Sequence, residues 1–233
     1  MTGIVLAGLA FASVIVTESA IAADFGPPPV TKAAAPPAHY WNGCYAGLQT
    51  GGIVLGGTGG GAGVGALAGG QLGCDYESDL VVLGLEGEVA WSNLSAQKDS
   101  VNPGSSSLAN TKNPWDADIA VRTGFLFRND VMTYLKIGLA FGSFNFNSVG
   151  SGFLGTTTTT GTTTMTGILI GPGLEYMISP QWFARTEIGF VLPNPKDVTM
   201  TCVPAAACAA PSSISTVSEF QFYGRVGISY KFM

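Results

Sequence analysis

From Glu219 to Met233 the chain reads Glu-Phe-Gln-Phe-Tyr-Gly-Arg-Val-Gly-Ile-Ser-Tyr-Lys-Phe-Met, and its alternate positions separate into two sets. Phe220, Phe222, Gly224, Val226, Ile228, Tyr230 and Phe232 make an apolar set, whereas Gln221, Tyr223, Arg225, Gly227, Ser229 and Lys231 make a polar one. Side chains of a β-strand point alternately to opposite faces, so the segment predicts a strand with one greasy and one wet side. Its length matches the roughly 9–11 tilted residues that take a strand across a bilayer. Seven earlier segments carry the same period: 41–52, 67–76, 80–92, 116–127, 133–145, 164–176 and 181–191. In the third, Leu83, Leu85, Val89 and Trp91 alternate with Glu86 and Glu88; in the fifth, Leu135, Ile137, Leu139 and Phe141 flank Lys136. Pro172 interrupts the sixth and marks a candidate bulge.

The connections alternate in length. Glu77-Ser78-Asp79, Arg128-Asn129-Asp130 and Ser179-Pro180 are tight turns, whereas 52–65, 93–115, 146–163 and 193–218 are long and rich in Ser, Thr, Gly and Pro. Short turns on one side and long loops on the other are the plan of a transmembrane barrel. An even strand count closes the sheet, so no open edge leaves backbone groups unpaired in lipid. The expectation is an all-β protein, an eight-stranded antiparallel up-and-down transmembrane barrel over 41–233. A soluble lipocalin-like barrel would show the reverse pattern, with an apolar interior and a polar exterior.

Composition adds to this picture. Only 11% of the 233 residues are charged and 33 are Gly. No stretch in the body holds about twenty consecutive strongly apolar residues, so helices are not the expected membrane spans. Residues 1–23 differ: the apolar run 3–16 followed by Ala20-Ile21-Ala22 reads as an export signal cut near Ala22 or Ala23, although no Lys or Arg precedes the run. Residues 24–40, with Pro27-Pro28-Pro29 and Pro36-Pro37, read as a Pro/Ala-rich extended tail on the periplasmic side.

Ten charged residues fall on the expected inner faces: Asp75, Glu86, Glu88, Glu175 and Glu187 against Arg122, Lys136, Arg185, Arg225 and Lys231. An eight-stranded barrel is just wide enough to be filled by its own side chains. Unpaired charges there would be costly, so a network of ion pairs is expected. Such a network fills a structural core or lines a narrow path for small solutes, and the alternation is compatible with both.

Catalytic and cofactor chemistry finds little support. The single histidine, His39, stands in the proline tail, away from any Ser or Asp it could activate. Glu86 and Glu88 share a face, but neighbouring Arg and Lys would neutralise them rather than leave them for acid–base work. The glycine loop 56–65 lacks the Lys-Ser/Thr ending of a phosphate loop. No metal, cofactor or catalytic residue is expected, and ten scattered basic residues with a net charge of −5 do not favour nucleic acid. The four cysteines suit an oxidising compartment. Cys202 and Cys208, six apart in the last long loop, are candidates for a loop-closing disulfide. Cys44 and Cys74 fall roughly opposite one another on outward faces of adjacent strands, as a cross-strand pair or two separate thiols. Other pairings remain open.

Four short motifs occur in order: Trp-Asn-Gly-Cys-Tyr-Ala-Gly at 41–47, Gly-Gly-Gln-Leu-Gly at 69–73, Gly-Leu-Glu-Gly-Glu at 84–88 and Arg-Val-Gly-Ile-Ser-Tyr-Lys-Phe at 225–232. On these the chain resembles the small outer-membrane β-barrel porin family of alphaproteobacteria, the outer membrane immunogenic protein type, related to the OmpA transmembrane barrel. Cys44 replaces a usual aromatic, and Met233 follows the terminal aromatic with which such barrels normally end. The resemblance implies residence in the outer membrane of a Gram-negative bacterium, outer-membrane lipid as surroundings, and a C-terminal signal at Tyr230 and Phe232 read by the barrel-assembly machinery. It implies no enzyme. Three roles stay open: a structural, antigenic envelope component, a narrow porin, and a binding module whose loops contact a host or envelope surface. Oligomeric state stays open too.

Overall fold

The computed structural model describes residues 40–57, 61–153, 155–208 and 212–232. The expected export signal and all of the Pro/Ala tail but Tyr40 lie outside them, as do Met233 and part of the glycine loop. The described chain forms ten strands: β1 Gly43–Gly57, β2 Gly63–Ser78, β3 Val81–Asn102, β4 Ser105–Arg128, β5 Val131–Gly152, β6 Gly155–Met177, β7 Trp182–Pro193, β8 Lys196–Val203, β9 Ser212–Val217 and β10 Glu219–Phe232.

Eight of these close a ring. Neighbours pair antiparallel from β1 through β7, β7 pairs with β10, and β10 pairs with β1 along its whole length, from Cys44 opposite Phe232 to Gly57 opposite Glu219. The remaining two, β8 and β9, form a hairpin that hangs on β6 through Thr158–Thr160. The architecture is thus an eight-stranded antiparallel up-and-down barrel with one extra hairpin.

Period two explains the wall. Leu85 is 62% exposed and Glu86 beside it is 1% exposed. Leu135, Ile137 and Leu139 face outwards around buried Lys136, and Val226 and Ile228 face outwards around the inner positions of β10. The outward apolar belt is bordered near the tight turns by Tyr76, Phe127, Tyr176, Trp182, Tyr230 and Phe232, and towards the other end by Trp91, Phe141, Phe190 and Phe220. Aromatic side chains combine an apolar body with a polarisable ring or hydroxyl that suits the lipid–water boundary, and two such girdles delimit a transmembrane barrel.

Several boundaries differ from the sequence expectation. Residues 93–115 and 146–163 are not loops. β3 and β4 run on to a two-residue turn at Pro103-Gly104, and β5 and β6 run on to Gly152 and Gly155, so two hairpins extend the wall beyond the belt as a crown. Towards their tips, at 97–108 and 147–160, these hairpins carry Ser, Thr and Asn with no buried face, yet β-branched threonines such as Thr156–Thr160 suit extended backbone. Gly104 adopts φ +82°, a left-handed conformation that a glycine after a proline supplies at the second corner of a tight turn. The last long connection, 193–218, likewise contains β8 and β9.

Pro172 does not make a bulge. It pairs in register with Leu135, and the ladder to β7 lapses at Gly171 and Pro172 and resumes unshifted at Gly173–Glu187. A missing N–H removes one bond without displacing the strand. Register shifts lie instead at Leu126/Arg128, beside a tight turn, and at Trp91/Leu94 and Lys112/Trp115, where the belt meets the crown. Asn113 is buried there. Its Nδ2 donates to the carbonyls of Trp115 and Ser143 and to Asp116, and its own carbonyl accepts from the Ser92 hydroxyl at 2.5 Å. The amide supplies partners that the broken ladder leaves out.

Candidate functional site: the filled lumen

The inner face is organised in layers. At the tight-turn end, Trp41, Tyr45, Val82, Leu126, Met132, Tyr134 and Phe183 pack into an apolar floor. Trp41 closes it: its ring lies 5.8 Å from that of Phe183, its backbone N–H donates to Glu77 at 2.8 Å and its indole N–H to the Asn129 carbonyl at 3.1 Å. Beside it Lys231 donates to the Tyr40 carbonyl and the Glu77 N–H donates to Asn42. The short segment before β1 is therefore tied across the mouth.

Above this floor lies the charge layer. Lys136 Nζ sits among four carboxylates, 3.0 Å from Glu88, 3.1 Å from Glu187, 3.4 Å from Glu86 and 3.5 Å from Asp118. Arg122 grips both oxygens of Glu175 at 2.9 and 2.6 Å, with Glu86 at 3.2 Å and Asp75 at 3.3 Å. Arg185 grips both oxygens of Glu86 at 2.7 and 3.0 Å and also donates to Glu187 at 2.7 Å. Arg225 pairs with Glu88 and lies over the Tyr223 ring, 3.6 Å from its centre. Paired forks of this kind are the strong form of the guanidinium–carboxylate contact, and a water-poor interior strengthens them further.

Three tyrosines pin the layer to the wall. Tyr45 donates to Glu86 at 2.5 Å, Tyr134 to Glu187 at 2.7 Å and Tyr223 to Glu187 at 3.0 Å. Each ring lies over the glycine paired with it on the next strand: Gly73, Gly173 and Gly189 respectively. A Cβ at Gly189 would stand 2.0 Å from the Tyr223 ring. These glycines are seats for rings, and a Tyr opposite a Gly in register is the signal that would have revealed them.

Of the ten charged residues read as inward, nine meet in this layer and Lys231 stands apart at the mouth. The expectation that five acids oppose five bases is corrected. Glu77, Asp116, Asp118 and Glu219 are buried as well, making nine acids to five bases among the described residues. Glu77 lies in β2 and not in a turn, and Asp116 and Asp118 share the parity of Arg122 on β4. Asp116 accepts from Asn113 and Gln221, each at 3.1 Å, above the main layer.

The carboxylates of Glu86, Glu88 and Glu187 lie within 4.8 Å of one another, a spacing that could hold a cation. The Lys136 ammonium already sits among them and supplies that charge, so the trio is a lysine cage. Over the charges lies a second apolar layer that includes Ile53, Leu55, Leu94, Phe144, Met165, Leu169, Val198 and Val217. Disulfides join Cys44 to Cys74 on the outside of the wall and Cys202, at the end of β8, to Cys208 in the connection to β9. Tyr230 and Phe232 face outwards in the lower girdle, their rings 5.6 Å apart.

Comparison with known proteins places this architecture. Among solved structures, Ail, the attachment invasion locus protein of Yersinia pestis, aligns over 82% of this chain and 99% of its own with 14% identity and a TM-score of 0.42. Neisserial surface protein A aligns over 82% and 98% with 11% identity and a TM-score of 0.47. The outer membrane protein OprG from Pseudomonas aeruginosa aligns over 82% and 97% with 10% identity and a TM-score of 0.46. No curated protein matches. The family model described as the outer membrane protein beta-barrel domain matches residues 29–199, and the chain belongs to that family.

Proposed function

We propose that this protein is a closed, non-catalytic structural barrel of the outer membrane, whose role is to hold a β-sheet crown above the lipid at the cell exterior. The observation that supports this reading is the lumen. A buried charge layer, in which every ion-paired side chain is at most 5% exposed, lies between two apolar layers, and Trp41 is tied across the lower mouth. A conducting path needs continuous water, and ions crossing here would have to break paired forks in a low-dielectric interior. By the rule that long connections face outwards, the crown lies on the extracellular side and the tight turns on the periplasmic side.

The test is single-channel recording in planar bilayers with protein that gel shift and circular dichroism show to be folded. Wild-type protein is expected to be silent, and Glu86→Gln and Arg225→Gln to stay silent if they fold. Steady openings in the wild type, with ion selectivity that changes in those variants, would overturn the structural reading in favour of a narrow porin.

A further inference from the structure

Between the inner face of the crown and the β8–β9 hairpin lies a cavity of about 340 Å³. Small-ligand pockets occupy roughly 300–1,000 Å³, so it is large enough for a compact guest. Its base is apolar, built from Phe146, Met200 and Val217, which continue the upper apolar layer. Hydroxyls make the walls: Thr111, Ser148 and Thr159 from β4, β5 and β6, and Ser213 and Ser215 from β9, whereas the Thr216 hydroxyl donates to Asp197 on the other face of the hairpin. No Lys, Arg, Asp or Glu is among the lining residues. The hairpin is held in place without a ligand. β8 pairs with β6, Lys196 donates to the Thr164 carbonyl at 2.7 Å, Asn194 donates to the Thr166 carbonyl at 2.9 Å, and a disulfide closes the turn beyond β8. The site is therefore preorganised.

The geometry points to this vestibule as a binding site for a neutral saccharide of one or two rings. A sugar ring has an apolar C–H face that suits Phe146 and Met200, and a rim of hydroxyls that exchange hydrogen bonds with the serines and threonines. An anionic guest would lose its hydration without meeting a cation. A wholly apolar guest would leave the wall hydroxyls without partners. A second cavity of about 420 Å³ on the opposite face of the same strands, lined by Asn110, Asn145, Thr160 and Thr162 and sharing Phe146 and Asn147 with the first, includes Lys112 and has no residue of β8 or β9 in its lining. The inference rests on the proposed exterior location of the crown only for where the saccharide comes from, and a conducting lumen would leave it standing.

Thr159 and Thr160 are adjacent on β6 but face the vestibule and the outer surface respectively. The protein would be placed in lipid nanodiscs free of glycoside detergent, and saturation-transfer NMR recorded with maltose, cellobiose and lactose, with glucose 6-phosphate as the charged comparison. The expected result is transfer to at least one neutral disaccharide, its loss in Thr159→Trp, its retention in Thr160→Trp, and a weaker signal from the phosphate. Absence of transfer from all three disaccharides, equal loss in both variants, or preference for the phosphate would overturn the proposal. Competition by polysaccharide from the producing cell's surface, against polysaccharide from unrelated cells, separates a self glycan from a foreign one. Silent conductance with no saccharide transfer would sink this inference alone; openings with intact transfer would sink only the structural reading.

Discussion

The membrane belt and the crown share one hydrogen-bonded wall yet obey different side-chain rules. In the belt every strand alternates between a face towards lipid, which is apolar or glycine, and a face towards the lumen, which joins the charge layer or the apolar layers around it, as Leu85 and Gly87 against Glu86 and Glu88 show along β3. In the crown the same strand continues through Gln97, Lys98, Asp99 and Ser100, all exposed. Lipid offers no hydrogen bonds, so the belt has to close into a ring and sort its side chains by face. Water accepts either face, so the crown needs only backbone pairing and extended-chain propensity. The belt is thus fixed by its surroundings, and the crown by its turns and by its attachment to a wall already formed.

That contrast predicts a steep gradient in tolerance. Lys136→Met should have the largest effect, because it leaves Glu86, Glu88, Glu187 and Asp118 around a missing cation. Removing one partner of a buried ion pair costs about 3–5 kcal/mol, and urea unfolding in vesicles should show a loss of that order. Ile137→Arg, one residue on but facing lipid, should cost about 2–4 kcal/mol by the same measurement, the range for a cation at the bilayer midplane. A loss under 1 kcal/mol from either would mean the belt is not sorted by face as described. Gly189→Ala comes next. Its methyl would collide with the Tyr223 ring, and overpacking of this kind costs about 1–3 kcal/mol. Pairing it with Tyr223→Phe tests the mechanism, since the ring and its clash remain while the Glu187 hydrogen bond goes.

The same contrast explains what could be read in advance. The eight crossings were legible because lipid on one side and a filled lumen on the other impose a strict period of two, which also brings Glu86 and Arg122 to one face. Which acid meets which base was not legible. Lys136 reaches Glu88, Asp118 and Glu187 on three other strands, and cross-barrel distances depend on strand stagger, which local alternation does not encode. Seats such as Gly173 under Tyr134 were hidden for a related reason: they require the register of two strands at once. The crown was hidden because Thr156–Thr164 has no buried face of its own over most of its length, so a strand there leaves the composition of a loop.

The smallest effects should come from the crown, and they test whether its strands are autonomous. Gly104 turns the β3–β4 hairpin with φ +82°, and a residue with a Cβ pays about 1–2 kcal/mol to hold the left-handed region. Gly104→Val should therefore loosen the hairpin tip without moving the unfolding midpoint of the belt. Amide hydrogen exchange reads both regions in one experiment. Faster exchange is expected over 97–110, where, among the described residues, β3 beyond its pairing with β2 is laddered to β4 alone, with unchanged protection over 82–91 and 117–126. The bulges at Trp91/Leu94 and Lys112/Trp115, bridged by Asn113, interrupt the ladder between the two regions and should confine the disturbance. If protection fell equally on both sides of Asn113, crown and belt would be one cooperative unit, and the crown would contribute to the barrel's stability instead of merely standing on it.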